Sequence, residues 1–415
     1  MKSNSLTDFI DKNPNWKDLL SDEHGDFSHR IKNSTRPGEE NLWIFSYNQI
    51  RSKWSRPENK YARGIILEIK DGHVTKVVRR AFDKFFNSGE GYADKIDWSA
   101  PGLFASLKMD GSLCSTYHYN GKWHWSTAGM FHADDANLSE LVPLANDGSE
   151  NAKTFQDLID VALRRTPVPF DDLEIGHTYT FELTSPSNRI VTPYLETGLT
   201  FIGERDNETG DEIDVKKSKV ASKLMLPEEF QVRSEKEADE LVERLGGLKE
   251  GLVIRGQRKS DGSFARCKMK SREYVKCHHI RGENNFSKKQ LFEVIQANET
   301  SEVEAYFPEL KGKIETTRAE WSGLKEILKS WVAKGVEHKA LLIAADPMYK
   351  FSDVTVRKAY ANFVSGPKVP AGVKSTMFFV WKEDPEGEVD KMLQDISWKD
   401  YKSLQLKVNN LKLGD

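Results

Sequence analysis

Lys108-Met109-Asp110-Gly111-Ser112 (KMDGS) lies between two segments with strand-like composition, Leu103–Lys108 and Ser112–Tyr119. Because Asp-Gly is a common turn dipeptide, the segment predicts a lysine at the end of one strand, facing a cleft beside the next. A lysine amine becomes a covalent catalyst when burial or neighbouring cations lower its pKa. Taken alone the pattern is weak, since an ordinary surface turn has the same composition.

Other residues give Lys108 a chemical context. Glu182 lies in a later predicted strand, and Glu250 directly precedes another apolar strand. Lys268 and Lys270 share one face of a strand, because side chains alternate with a period of two. Together these residues supply a nucleophile, an acid for ribose hydroxyls, an acid suited to a metal and two cations for a polyphosphate. The combination favours a functional site over unrelated surface residues.

Strand patterns dominate the chain from about Trp43 to Val275. The dipeptide Asn120-Gly121 separates two of the predicted strands and is the preferred sequence of a two-residue hairpin turn. Two helices interrupt this part: one is indicated by helical spacing at residues 155–162, and one by the capping box Ser234/Glu237. The further predicted strands are Tyr61–Lys70, Thr178–Thr184, Leu199–Arg205, Gly251–Gly256 and Phe264–Lys270.

Helical patterns replace strand patterns after about His279. Ser287 is a possible helix cap, Ser301 with Glu304 forms a capping box, and a stripe of helical spacing runs from residue 321 to residue 331. The segment Met377–Trp381 fits either a short strand or part of a buried helix. We therefore predict an α+β protein, with an antiparallel-sheet domain over residues 1–280 and a mostly α-helical domain over residues 281–415.

Composition narrows the possible functions. The 415 residues include 61 Lys plus Arg and 64 Asp plus Glu, a net charge of −3. No apolar run approaches the roughly 18 residues of a membrane span, and the start of the chain lacks the apolar core of a signal peptide. Three scattered cysteines indicate a reducing cytoplasm. Nine Lys and Arg between residues 255 and 281, against two acids, suggest a phosphate-containing ligand or a solvated face.

These residues resemble the covalent nucleotidyltransferase superfamily of ATP-dependent ligases and mRNA-capping enzymes. Within it, the sequence is most similar to the RNA ligase 1 family of T-even phages, the tRNA-repair ligases. The likeness is dense from about residue 40 to residue 280. The stretches that support it are 44–48 (IFSYN), 62–65 (ARGI), 84–87 (KFFN), KMDGS with 115–117 (STY), 181–182 (FE), 188–191 (NRIV), 208–210 (ETG), 250–251 (EG) and 268–271 (KMKS).

The resemblance implies a three-step reaction. Lys108 attacks the α-phosphate of ATP, forms a lysyl-AMP phosphoramidate and releases pyrophosphate. AMP then passes to the 5′-phosphate of an RNA end, and finally a 3′-hydroxyl attacks that end while AMP leaves. The implied cosubstrate is ATP, the implied metal is Mg²⁺ or Mn²⁺, and the implied substrate is a nicked tRNA anticodon loop. The implied location is the cytoplasm, that of the host if the chain is phage-encoded.

The resemblance also implies roles for individual residues. Nearby cations and the metal would lower the pKa of the Lys108 amine so that it can attack. Metal binding would fall to Glu250 and, in the helical domain, to Glu302. The ATP contacts would be Tyr47, Arg63, Lys84, Glu182, Lys268 and Lys270. The residues that shape or support the site would be Asp110, Gly111, Ser112, Gly251, Phe86 and Tyr274, the last two of which fit a plain core position equally well.

One departure from the family pattern concerns Ala128, which stands where the phage pattern has a lysine before Gly129. The departure puts in doubt the efficiency of one step or the choice of RNA end. Two other functions stay open: a DNA ligase or capping guanylyltransferase of the same superfamily, and a non-catalytic RNA-binding protein on this fold. The helical signals after residue 286 argue against the first, since those enzymes usually append an OB-fold. The intact Lys108, Glu182 and Glu250 argue against the second.

Overall fold

The computed structural model describes residues 4–100, 102–138, 146–246, 248–258, 263–281, 287–297, 300–345 and 353–409. The chain divides into two compact units, Met1–His278 and His279–Asp415. Among the described residues, no helix has both the length and the apolar content that crossing a membrane requires.

The first unit contains all of the described strands. In chain order they are β1 (Arg30–Asn33), β2 (Leu42–Ser46), β3 (Arg63–Lys70), β4 (His73–Arg79), β5 (Phe86–Asn87), β6 (Phe104–Lys108), β7 (Ser112–Tyr119), β8 (Lys122–Thr127), β9 (His177–Thr184), β10 (Gly198–Asp206), β11 (Glu212–Ile213), β12 (Glu229–Phe230), β13 (Gly251–Gln257) and β14 (Phe264–Lys270). They form three sheets with the orders β1-β2-β3-β4, β11-β10-β9-β7-β8 and β12-β6-β13-β14-β5. Each pair of neighbours is antiparallel except β14 and β5, which are parallel.

Twelve α-helices are described along the two units. They are α1 (Ser5–Lys12), α2 (Trp16–Ser21), α3 (Pro57–Tyr61), α4 (Phe155–Arg165), α5 (Glu235–Arg244), α6 (Arg272–Arg281), α7 (Lys288–Gln296), α8 (Thr300–Tyr306), α9 (Lys311–Ala344), α10 (Asp353–Ser365), α11 (Pro385–Asp395) and α12 (Trp398–Asn409). Among its described residues, the second unit contains helices joined by turns and loops, and no strand. The predicted α+β class, with antiparallel sheets followed by helices, is confirmed.

Local sequence explains the hairpin that follows the KMDGS segment. Asn120 and Gly121 connect β7 to β8 and adopt positive φ angles of 50° and 75°. Two positive φ values define the type I′ turn, whose twist matches that of paired strands. The side chains of β7 and β9 that face away from the solvent, including Cys114 and Phe181, join the core beneath α4.

Helix α4 covers that core, because a capping box determines where the helix begins and its apolar face packs against the core. The side chain of Thr154 accepts a hydrogen bond from the N–H of Asp157, whose carboxylate in turn accepts from the N–H of Thr154. This reciprocal capping box fixes the first turn. Leu158, Ile159 and Ala162 then fall on one face and are fully buried.

The helix predictions were partly wrong and partly confirmed. Ser301 does not cap a helix, because α8 begins at Thr300. Of the two alternatives for Met377–Trp381, the helix is the one found: residues Thr376–Trp381 form a partly buried 3₁₀-helix. The N-terminal helix α1, which sequence periodicity missed, is fixed by a capping box between Asn4 and Thr7. The cap at Ser287 is confirmed, since its side chain accepts from the N–H of Gln290.

Candidate active site

The KMDGS lysine lies at the end of β6, in a row of three residues across one sheet. Gly251, the first residue of β13, is directly opposite both Lys108 on β6 and Lys270 on β14. Val253 is opposite Lys268, which therefore shares a face of β14 with Lys270. Antiparallel pairing thus brings together residues from three distant parts of the sequence.

Glu250 connects the two lysines of this row. Its Oε2 lies 2.6 Å from Nζ of Lys108, and its Oε1 lies 2.8 Å from Nζ of Lys270. Burial raises the pKa of the Glu250 carboxyl, but the two ammonium groups outweigh it, so that the pKa is lowered. The carboxylate is therefore ionised and held by both cations.

The expectation that neighbouring cations lower the pKa of Lys108 was wrong for the protein without nucleotide. Burial lowers this pKa, but the carboxylates of Glu250 and Glu182 outweigh burial and raise it. Lys108 is consequently an ammonium group paired with Glu250. Before its amine can act as a nucleophile, this ion pair must open and the proton must leave.

A cluster of cations lines the cleft beside Lys108. Arg63, Lys84 and Lys268 are part of its wall, and the structure describes no carboxylate within ion-pair distance of Lys268. The Nη1 atom of Arg63 is buried without a hydrogen-bond partner in the described residues. Burial first, and then the charges of Lys84, Lys108, Lys270 and Arg63, lower the pKa of Lys268 to about 7. Uncompensated cations of this kind fit a polyanionic ligand.

The lowered pKa of Lys268 predicts proton uptake when a nucleotide binds. Phosphate oxygens raise that pKa again, so affinity is expected to be full below pH of about 7 and to fall as the pH rises above it. Calorimetric titration with a non-hydrolysable ATP analogue, at a pH of about 8 in two buffers of different ionisation enthalpy, measures the uptake. Lys268→Arg keeps a fixed charge and is expected to take up fewer protons. Equal uptake by both proteins would contradict the assignment.

Asp110 shapes the loop that follows Lys108. Only 3% of it is exposed. Its Oδ2 accepts the N–H groups of Val191 and Thr192 at 2.8 and 2.7 Å, and its Oδ1 accepts the hydroxyl of Tyr274 at 2.7 Å. With both oxygens engaged, Asp110 is in position to fix the loop and not to contact a substrate.

Tyr274→Phe is expected to destabilise the first unit by about 1–2 kcal/mol, because it leaves a buried carboxylate oxygen without its hydroxyl donor. Chemical denaturation measures the free energy of unfolding. Tyr117→Phe is the matched control, since that buried hydroxyl donates to a neutral carbonyl, the oxygen of Phe131, at 3.2 Å. A Tyr274 variant no less stable than the control would mean that the contact with Asp110 contributes nothing.

Gly111 and Glu182 form the other wall beside the nucleophile. The N–H of Gly111 donates to Oε1 of Glu182 at 3.1 Å. A Cβ at position 111 would lie 2.3 Å from the carbonyl oxygen of Leu183, so glycine is required there. Burial and the charge of Glu250 raise the pKa of Glu182 to about 7, although Lys108 opposes this shift. Ser112 accepts a hydrogen bond from Asn188 at 3.0 Å.

Aromatic rings border the cation cluster. Tyr47 meets Trp54 edge to face, with ring centroids 5.0 Å apart, and Trp54 meets Phe86 at 5.3 Å. Nζ of Lys84 lies 5.2 Å from the ring of Tyr47. Tyr47 and Lys84 line the cleft, whereas Phe86 is 4% exposed and lies behind Trp54.

The basic segment from residue 255 to residue 281 is not one surface face. Arg255 lies 2.7 Å from Asp214, and Arg266 pairs with Glu212, all in the interior of the unit. Arg255 and Arg266 line the same cleft as Lys268 and Lys270, because residues 266, 268 and 270 share one face of β14. Lys259 and Asp261 of this segment lie outside the described residues. The sequence did not predict that Glu212 and Asp214 pair with these arginines, because the two acids lie on β11 and in the loop after it.

The sequence also singled out Glu302 and Ala128. Glu302 belongs to α8 of the second unit, and its side chain is outside the described residues. The carbonyl of Ala128 accepts from the hydroxyl of Ser46 at 3.0 Å. Nζ of Lys32 on β1 donates to the carbonyl of Gly129 at 3.3 Å, so an amine from another strand does lie beside this position.

The donor set beside Lys108 suits a divalent cation that is bound together with a polyphosphate. Mg²⁺ is commonly held by one or two carboxylates plus substrate phosphates. Glu250 and Glu182 are the carboxylates that line the cleft near the nucleophile. Because both oxygens of Glu250 contact ammonium groups, a cation there would have to displace at least one lysine from it.

Comparison with known sequences identifies the family. A family model described as RNA ligase, of the T4 RNA ligase 1 type, matches residues 61–274, slightly more than half of the chain. The chain belongs to this RNA ligase family. The matched region contains Lys108 together with Arg63, Lys84, Glu182, Glu250, Lys268, Lys270 and Tyr274. Tyr47 and Glu302 fall outside it.

Relatives with curated names agree with the family. A "Putative bifunctional polynucleotide kinase/RNA ligase" of Autographa californica nuclear polyhedrosis virus is 32% identical over 69% of this chain and 40% of that protein. An "RNA ligase" of Rhodothermus phage RM378 is 26% identical over 58% of this chain and 64% of that protein. A "Putative RNA ligase" of Thermovibrio ammonificans is 30% identical over 54% of each. The chain thus spans between 40% and 64% of the length of these relatives.

Solved structures provide only a distant likeness. An archaeal ATP-dependent RNA ligase is 15% identical, with a TM-score of 0.37 over 77% of this chain and 79% of that chain. A putative ATP-dependent DNA ligase from Aquifex aeolicus is 14% identical, with a TM-score of 0.40 over 73% of this chain and 74% of that chain. The family assignment therefore depends on the sequence match.

Proposed function

We propose that this protein is an ATP-dependent RNA ligase that joins 5′-phosphate and 3′-hydroxyl ends through a lysyl-AMP intermediate on Lys108. The observation that supports this most is the placement of Lys108 beside three half-buried cations for which the described residues show no ion pair. Arg63, Lys84 and Lys268 surround a space next to a potential nucleophile, and a triphosphate supplies the negative charge they need.

The proposed ligation has three steps. In the first, Nζ of Lys108 gives up a proton and forms a bond to the α-phosphorus of ATP, while the bond to the bridging oxygen breaks and pyrophosphate leaves. In the second, a 5′-phosphate oxygen attacks the same phosphorus and Lys108 leaves. In the third, the 3′-hydroxyl loses its proton, attacks the 5′-phosphate and releases AMP.

Each side chain contributes to charge or position in this scheme. Arg63, Lys84, Lys268 and Lys270 would bind phosphate oxygens and stabilise the added charge of the transition state. Glu182 would bind the ribose hydroxyls, and Tyr47 would contact the nucleotide. Glu250 would hold a divalent ion, Mg²⁺ or Mn²⁺, which neutralises phosphate charge when bound. Glu302 is a further candidate acid for the metal.

Nucleotide binding would also resolve the ion pair that holds Lys108. Phosphates draw Lys268 and Lys270 toward the ligand, and a cation on Glu250 competes with Lys108 for the carboxylate. A cation on Glu250 would add positive charge near Nζ and take the carboxylate away from it, and so would lower the pKa of Lys108 against the opposite effect of the phosphates. The amine thus becomes reactive when its substrate is present.

The proposed RNA is a cleaved tRNA anticodon loop. The described residues of the second unit are helices α7–α12, in place of the β-barrel that DNA ligases and capping enzymes usually append. Helices can grip folded RNA by its shape and backbone. The proposed location is a reducing cytoplasm, since the sequence has only three cysteines and all three are buried.

The test is incubation of the protein with Mg²⁺ and either ATP or GTP labelled at the α-phosphate, after any bound AMP has been removed with pyrophosphate. Labelled protein with ATP and not with GTP supports the ligase and argues against a capping enzyme. Nicked RNA and nicked DNA are then compared, together with an anticodon stem-loop that carries the same ends. If no nucleotide labels the protein, the non-catalytic RNA-binding alternative replaces the ligase. Sealing of DNA alone would replace it with a DNA ligase.

A further inference from the structure

Away from Lys108, three metal-binding side chains meet at the junction of two sheets. Glu39 lies in the loop between β1 and β2, His124 lies on β8, and His132 follows β8 in the chain. Each offers one ligand atom, and these atoms lie within 4.8 Å of one another. Glu39 and His132 are only 6% and 4% exposed. Burial of this kind is unusual for a carboxylate and an imidazole unless they are paired or bind a metal.

The hydrogen bonds of His124 leave one ring nitrogen available. Its Nε2 lies 3.1 Å from the carbonyl oxygen of Tyr119. Because a carbonyl only accepts, Nε2 carries the proton, and Nδ1 of the neutral ring has a lone pair. A ring N–H donated to a backbone carbonyl is how metal-binding histidines are usually oriented.

The other two groups, Glu39 and His132, already contact each other. Nε2 of His132 lies 2.9 Å from Oε2 of Glu39, and the hydroxyl of Ser34 donates to the same oxygen at 2.7 Å. Two ligands on a tetrahedral zinc ion, with bonds of about 2.1 Å, are roughly 3.4 Å apart. The Glu39 and His132 atoms would therefore separate by about half an ångström around an ion, and the proton that Nε2 of His132 donates to Oε2 would leave as the ion binds. The ligand atom of His124 lies within 4.8 Å of both.

We propose that Glu39, His124 and His132 form a second metal site, specific for Zn²⁺ or a similar borderline cation, that joins the β1–β2 loop to β8 and to the segment that follows β8. Two imidazoles and one carboxylate are a typical zinc set and a poor one for Mg²⁺. Water would fill the fourth position. The role of this metal site would be structural, because other contacts connect the same parts of the chain. Arg36 forms an ion pair with Asp134 at 2.8 Å, and the Asn120 side chain donates to the carbonyl of Gly38 at 2.8 Å.

The test uses Zn²⁺ and Co²⁺ with the full chain. The metal-free protein is expected to bind one Zn²⁺ in the presence of excess Mg²⁺, to unfold at a higher temperature with zinc, and to give the visible absorption of four-coordinate Co²⁺. His132→Gln and Glu39→Gln are expected to weaken Zn²⁺ binding by at least about tenfold. His118→Gln, on β7 and outside the cluster, is the control and is expected to bind normally.

Two results would overturn the proposal. In one, the wild-type protein shows no Zn²⁺ binding and no four-coordinate Co²⁺ spectrum, so the three groups form a hydrogen-bonded cluster only. In the other, the Gln variants bind as the wild type does, so the ion is adventitious. If His132→Gln does not fold, His124→Gln, at a less buried position, serves in its place. None of these measurements depends on ligase activity, so they stand apart from the function proposed for Lys108.

Discussion

Lys108→Ala and Lys108→Arg are expected to lose formation of the covalent adenylate by roughly 10⁴-fold or more, since the reacting atom itself is removed or made unreactive. The arginine variant retains a positive charge beside Glu250 and isolates the loss of the nucleophile from the loss of charge. Incubation with ATP labelled at the α-phosphate, followed by denaturing electrophoresis, measures the adenylate. Lys122→Ala, an exposed lysine at the start of β8, is the control and is expected to label normally.

A second substrate separates a missing nucleophile from a misfolded protein. RNA that already carries AMP on its 5′-phosphate needs only the third step, in which no bond to Lys108 is made. The Lys108 variants are expected to seal this RNA without ATP while they fail with ordinary 5′-phosphate ends. A Lys108 variant that still forms an acid-labile adenylate would refute the assignment of the nucleophile.

The sequence predicted the elements that local patterns determine. The strand Phe264–Lys270 has the limits that were expected, and Asn120-Gly121 forms the expected turn. In both cases neighbouring residues contain the whole signal: alternation in the strand, and tolerance of positive φ in the turn. The two-residue strand β5, which pairs in parallel with β14, could not be predicted because so short a strand has no periodicity.

Most residues of the candidate site could be predicted from the sequence, but the pKa shifts and the charge pairs of the site could not. Resemblance to a family placed Glu250, Lys268 and Lys270 near Lys108. The direction of the Lys108 pKa shift was wrong because the carboxylates of Glu250 and Glu182 lie close enough to Nζ to outweigh its burial. The acids that neutralise Arg255 and Arg266 could not be assigned either, since Glu212 and Asp214 are distant in the chain. Charge pairing of this kind is a property of the folded structure.

Gly251→Ala is expected to destabilise the first unit by roughly 3 kcal/mol or more, the largest stability effect that we predict for a single methyl group. Two independent causes add. Gly251 has a φ of 141°, which side chains rarely adopt. An added Cβ would lie 2.0 Å from the carbonyl oxygen of Met269, and backbone on the neighbouring strand cannot yield as a flexible side chain can.

The same substitution is expected to lower adenylation even in the molecules that remain folded. Position 251 is opposite Lys108 and Lys270 and directly follows Glu250, so separating β13 from β14 disrupts the contacts of all three. Chemical denaturation and labelling with ATP are measured on the same preparations. Gly198→Ala, at a strand position with open space around its Cα, is the matched control and is expected to change stability by less than about 1 kcal/mol. If Gly251→Ala resembled this control, the close approach of β13 to β14 would be wrong, and with it the row of residues on which the proposed site depends.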